Sequence, residues 1–169
     1  MRRASHQACV LLGSNIRPEI NLPLAAKRLG DLVEVMRCSS VWESSAVGSE
    51  QANFLNAAMV IRTPLEPTSL KKHLLLPLES QLGRVRSADK NAARTIDLDL
   101  ITYDDLLLDP SLCQYAYRAV PVSEVLPSVR SDDGEALKDV AHRLLCRTPL
   151  RLRADVSLPG QPAPAASRS

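Results

Sequence analysis

The chain has 169 residues, 45% of them hydrophobic and 24% charged, which is enough to bury the core of one domain and too apolar for disorder along most of its length. Aromatic residues make up only 3%, so the core must be aliphatic, and a net charge of +2 is too small for a general nucleic-acid or membrane-surface binder. No apolar run is long enough to span a bilayer, and the stretch 8–12 behind Arg2 and Arg3 is too short for a secretory signal. A cytoplasmic protein is expected. Cys9, Cys38, Cys113 and Cys146 are widely spaced and read as free thiols, not as a zinc or disulfide framework.

Residues 9–12 are an apolar run stopped by Gly13-Ser14-Asn15, which predicts a first strand and a turn. Ile20, Leu24, Ala25 and Leu29 have helical spacing over 19–29, with Pro23 near the first turn and Gly30 as the C-cap. The stretch 32–42 reads as one strand, with Val33, Val35 and Val41 candidates for one face. A polar loop over 44–53 leads to a strand at 54–63. Pro64 and Pro67 mark the connection to a helix over 68–82, whose apolar stripe includes Leu70, Leu74 and Leu78. Pro77 lies inside that helix and should kink or split it. Residues 84–94 read as an exposed basic loop, and 95–103 alternate as a strand. Helical patterns follow around 123–126 and 135–145. From 154 the chain is rich in Pro, Ala and Ser, which predicts a single domain at 1–153 and a disordered tail at 154–169. The order strand, helix, strand, strand, helix, strand predicts an α+β ferredoxin-like sandwich. Its antiparallel sheet would carry two helices on one face and leave the other open for a ligand.

The sharpest chemical feature is Arg94-Thr95-Ile96-Asp97-Leu98-Asp99. Residues two apart on a strand share a face, so Asp97 and Asp99 project together, opposite Ile96, Leu98 and Leu100. Adjacent carboxylates repel unless a cation or a shared proton joins them, and such hard oxygen donors suit Mg²⁺ with phosphate oxygens. Alone, the pair would sooner be read as a solvated strand face whose acids pair with nearby arginines. The preceding loop shifts the balance, since Arg84, Arg86, Lys90 and Arg94 bring cations directly before the acids. Arginine forks match phosphate, and carboxylates plus arginines are the parts of a phosphoryl-type transfer. No glycine-rich phosphate loop is present.

These residues lie within a longer ordered set: Leu12-Gly13-Ser14-Asn15, Ser39-Ser40-Val41-Trp42-Glu43, Val47-Gly48, Phe54-Leu55-Asn56-Ala57, Glu79 with Leu82-Gly83-Arg84-Val85-Arg86, and 94–99. In these motifs, over about 10–127, the chain resembles the 6-hydroxymethyl-7,8-dihydropterin pyrophosphokinases of folate biosynthesis. The resemblance implies transfer of pyrophosphate from ATP to the hydroxymethyl group of a reduced pterin, releasing AMP. It implies that Asp97 and Asp99 hold two Mg²⁺ ions and that Arg84 and Arg94 stabilise the charge moving during transfer. It places Glu79, Arg84, Arg86 and Arg94 on ATP, with Arg86 in a mobile loop that closes over it. Ser44, Ser45, Val47, Phe54, Asn56 and Tyr117 would bind the pterin, with the two rings sandwiching it. The partners implied are the two small molecules, with no nucleic acid or membrane and a monomeric protein.

The chain departs from the family pattern in one region. Asp109-Pro110 stands where a His-Pro pair is usual, and Tyr115 where an arginine is usual. Asp109 would add negative charge near ATP. Arg118 could replace the lost arginine, but on a strand it would point with Ala116, away from Tyr115. Ala92-Ala93 replaces a Gly-Pro, and Asn91 stands where an aromatic is common. A family member acting on another pterin alcohol, or a non-catalytic pterin- or ATP-binding descendant, are the alternatives these changes raise.

Overall fold

The computed structural model describes residues 5–45, 52–89 and 92–161. Strand β1 (His6–Ser14) lies inside an antiparallel sheet, which is why residues 8–12 form an unbroken apolar run, buried from both faces. It pairs with β4 (Phe54–Thr63) on one side and β5 (Asp97–Tyr103) on the other. The expected strand at 32–42 is two strands, β2 (Glu34–Cys38) and β3 (Trp42–Ser44), both paired with β4. At the break the Ser39 hydroxyl accepts a hydrogen bond from the Ala58 N–H at 2.8 Å, satisfying β4 where the ladder lapses. Short outer strands complete the order β6-β5-β1-β4-β3-β7, with β6 at Leu106–Leu107 and β7 at Arg151–Leu152.

Helix α1 (Pro18–Leu32) and the pair α2 (Pro67–Leu70) and α3 (Leu76–Gln81) pack on one face around Leu12, Leu29, Met59 and Leu75. Helix α1 runs past Gly30, which is therefore not its cap; it ends where the Val33 N–H reaches Leu29 O, and Pro23 lies within it. The expected helix at 68–82 is continuous but not uniform. A π-helical turn at Lys71–Leu75 joins α2 to α3. The Leu76 N–H bonds back to Lys71 O, and this wider winding accommodates Pro77, which lacks an N–H and would crowd a regular turn.

The architecture is an α+β ferredoxin-like sandwich, but its second face is not open. Helices α4 (Ala116–Val125) and α5 (Leu137–Arg147) cover it, entered through a 3₁₀ turn at Pro110–Cys113, and bury Cys9, Leu11, Val60 and Ile101. The pattern around 123–126 is thus the end of a longer helix. Among the described residues no helix is long and apolar enough to cross a membrane, and all four cysteines are free.

The expected tail from 154 does not hold over 154–161. Val156 and Leu158 are buried in the core, and the Gln161 amide donates to Ser39 O. Arg153, its side chain 13% exposed, bridges Glu43 at 3.0 Å and Asp155 at 2.7 Å. Composition missed this because two apolar side chains in a Pro-rich stretch suffice to anchor it. Residues 162–169 lie outside the described residues. Leu158→Ala should therefore cost about 2–4 kcal/mol in urea unfolding followed by Trp42 fluorescence. A loss below about 0.5 kcal/mol would return the segment to a tail.

Candidate active site

The register places Gly13 opposite Asn56 on one side and Asp97 on the other. Side chains directly opposite share a face, so Asn56 and Asp97 flank an empty position about 10 Å across, two strand spacings. A Cβ on Gly13 would sit 3.2 Å from Asn56 Oδ1. Glycine thus lowers the floor of the site between an amide and a carboxylate. The cluster under α4 takes in Leu11, Ala58 and Ile101 on this face, and the face continues beyond it to Gly13, Asn56 and Asp97.

Asp97 and Asp99 project from β5 as the strand period requires, and the basic loop folds back on them. Arg84 donates to Asp97 Oδ1, to Ile96 O at 3.0 Å and to Glu79 Oε1 at 3.3 Å. Arg94 donates to Asp97 Oδ2. Asp97 therefore lies between two guanidinium groups. Glu79 is only 2% exposed; its carboxylate also accepts from the Leu98 N–H at 2.8 Å and from exposed Arg86 at 3.2 Å. Burial holds the Glu79 carboxyl above its ordinary range despite these partners. Burial, then the charge of Asp97, likewise raises Asp99. A divalent cation would be a further partner for these paired hard-oxygen donors, in exchange for the arginines. Among the described residues no group of three or more His, Cys, Asp or Glu is placed to hold a metal. A two-carboxylate site suits Mg²⁺, which keeps waters and binds phosphate oxygens.

The turn after β1 clips this web in place. The Ser14 hydroxyl donates to Thr95 O at 2.6 Å, Asn15 Oδ1 accepts from the Arg94 N–H at 2.6 Å, and the Asn15 N–H donates to Arg94 O at 3.1 Å. The motif Gly13-Ser14-Asn15 thus provides the floor and holds the approach to Asp97.

Arg118 lies in the first turn of α4, not on a strand, and this corrects its expected direction. It donates from Nη2 to Asp99 at 3.1 Å and from Nη1 to Asp109. Asp109 is held in turn by the Ser111 N–H at 2.9 Å and its hydroxyl at 2.6 Å. The negative charge expected from Asp109 is thus paired. Asp99, Asp109, Lys71 and Leu100 line part of a cleft of about 360 Å³. Tyr115 is exposed and stacks on half-buried Tyr117 with centroids 5.5 Å apart.

On the other side of Gly13, buried Asn56 donates to the Ser44 hydroxyl at 3.1 Å. Phe54, half-buried, opens β4 opposite Ser44. Ser45 is exposed at the end of β3. Val47, Gly48, Lys90 and Asn91 lie outside the described residues. Glu43 accepts from Asn53 at 2.7 Å, tying the two ends of the intervening loop together.

The sequence model of the 7,8-dihydro-6-hydroxymethylpterin-pyrophosphokinase family matches residues 9–127. A Synechocystis protein named 2-amino-4-hydroxy-6-hydroxymethyldihydropteridine pyrophosphokinase is 37% identical over 133 residues, 72% of this chain and 67% of its own. A Bacillus subtilis protein of the same name is 30% identical, over 78% of this chain and 85% of its own. Among solved structures, a Plasmodium falciparum HPPK-DHPS crystallised with pteroate superimposes with a TM-score of 0.65 at 10% identity. That match covers 87% of this chain and 44% of the Plasmodium chain, and it bears on the fold alone.

Proposed function

The chain belongs to the 7,8-dihydro-6-hydroxymethylpterin-pyrophosphokinase family, and from that premise we propose that it transfers pyrophosphate from ATP to 6-hydroxymethyl-7,8-dihydropterin. The observation that carries this reading is the web at β5. Two carboxylates from one strand face meet Arg84, Arg94 and Arg118 next to a cleft. In the reaction the pterin hydroxymethyl oxygen gives up its proton to solvent and bonds to the β-phosphorus. The bond from that phosphorus to the α,β-bridging oxygen breaks, and AMP leaves with it. Most of the catalysis in such a transfer is positioning and charge neutralisation.

Asp97 and Asp99 would hold Mg²⁺, two ions by the family resemblance, and these neutralise the triphosphate when bound. Arg84 and Arg94 would exchange Asp97 for phosphate oxygens and stabilise the charge that develops toward AMP. Glu79 gives its oxygens to the Leu98 N–H, Arg84 and Arg86, so it would serve the ATP site by orienting those arginines. Arg86, its side chain 67% exposed although paired with Glu79 at 3.2 Å, would leave that pair to close over ATP with its loop. Asn56 would hydrogen-bond the pterin edge, with Ser44, Ser45 and Val47 alongside, and Phe54 and Tyr117 would stack on its faces. We further infer a monomer, in the cytoplasm, with these two small molecules as its partners.

AMP should form from ATP and Mg²⁺ only when the pterin is added. Removing Mg²⁺ with EDTA should abolish it. Nucleotide binding without pterin-dependent AMP would move the chain to a binding-only descendant, and AMP with other pterin alcohols alone would change the substrate.

A further inference from the structure

The Asp99–Arg118–Asp109 triad has an asymmetry that the reaction can use. Arg118 is largely buried, its side chain 17% exposed. Its Nη1 is committed to Asp109, which the two Ser111 donors fix in the preceding 3₁₀ turn. Its Nε is buried with no hydrogen-bond partner. Its Nη2 reaches Asp99. In a guanidinium, Nε–H and Nη2–H form one edge, and that edge fits two phosphate oxygens side by side. A buried donor without an acceptor is costly unless something supplies one.

We propose that Arg118 is a phosphate-binding residue of this site, held by Asp109 and masked by Asp99 until nucleotide arrives. The inference rests on the pyrophosphokinase reading above. With Asp99 holding a cation, Nη2 would be released from it. The Nε–Nη2 edge then faces the triphosphate while Nη1 stays on Asp109. Asp109 is a positioning residue, and its charge holds the arginine without opposing ATP. Arg118 thereby supplies the guanidinium that Tyr115 cannot.

The test is calorimetric binding of α,β-methylene-ATP at saturating Mg²⁺, alongside binding of 6-hydroxymethylpterin and of Mn²⁺ alone. Arg118→Lys keeps the charge but loses the fork, and should weaken the analogue about 10–100-fold. Arg118→Ala should weaken it at least as much. Asp109→Asn should give a smaller loss that disappears in the Arg118→Ala background. Pterin affinity should fall less than analogue affinity, since Arg118 reaches the pterin only through the Tyr117 ring, 5.7 Å from its guanidinium, and Mn²⁺ should bind Arg118→Ala no more weakly than wild type, because Asp99 is unmasked. If Arg118→Ala does not fold, Arg118→Lys and Asp109→Asn carry the test. Analogue binding within about twofold of wild type in the Arg118 variants overturns the inference. So does an equal loss of pterin affinity, which would mark a merely structural pair. If wild type itself binds no analogue and releases no AMP, the pyrophosphokinase reading fails and this inference with it.

Discussion

Asp97→Ala should lower pterin-dependent AMP release at least ~10³-fold, the largest effect expected of any single substitution here. The estimate follows from the charge involved. Lewis-acid neutralisation of a transferring phosphoryl group contributes several kcal/mol, and each decade in rate corresponds to about 1.4 kcal/mol. Asp97 also organises the arginines, since Arg84 and Arg94 each bind one of its oxygens. Its loss removes an acceptor that competes with phosphate at both arginines, so nucleotide affinity should fall far less than turnover. That split separates loss of chemistry from loss of binding. Because Ala leaves Arg84 with fewer acceptors in a partly buried site, Asp97→Asn serves as the near-isosteric second variant, with circular dichroism to confirm folding. Activity within tenfold of wild type in both variants would remove Asp97 from the machinery.

The strands that form the site were legible because their patterns are strict. Phe54–Thr63 follows directly from its apolar run, and the alternation at β5 puts both aspartates on one face. What sequence missed depends on long-range partners. The second face reads as open because α4 looks half-strand in sequence: Pro121 and the valines of Ala116–Val125 obscure a helix that packing stabilises. That misreading turned Arg118 away from the site. On a strand it would share a side with Ala116, whereas the first turn of a helix points it at Asp99 and Asp109. The pairing of Asp109 was hidden for the same reason, although Asp-Pro-Ser is itself a capping signal for a short turn. The segment after β7 was misread because composition reports average polarity, while Val156 and Leu158 need only their own two pockets.

Glu79 gives the second large effect, and it is one of stability. Glu79→Ala should cost about 3 kcal/mol in urea unfolding, because it leaves the buried Leu98 N–H without its 2.8 Å acceptor and strips Arg84 and Arg86 of a shared partner. Turnover should fall with it as Arg84 loses one of its three anchors. Glu79→Gln should cost less, since its amide oxygen can still accept from Leu98. The difference between wild type and Glu79→Gln should also depend on pH in a defined direction. Burial outweighs the arginines and holds the folded carboxyl above its ordinary 4.5, so the folded state takes up the proton more readily than the unfolded chain. The contribution of the carboxyl is then full below 4.5 and is lost as pH rises through the raised value. Glu79→Gln should accordingly gain on wild type as pH rises from 4.5 through the raised value, read from parallel unfolding curves with Trp42 as the reporter. A gap that instead widens in favour of wild type over that range would mean that the arginine pairs dominate burial. Glu79 would then stabilise the fold by its charge, and not only by where it holds Arg84.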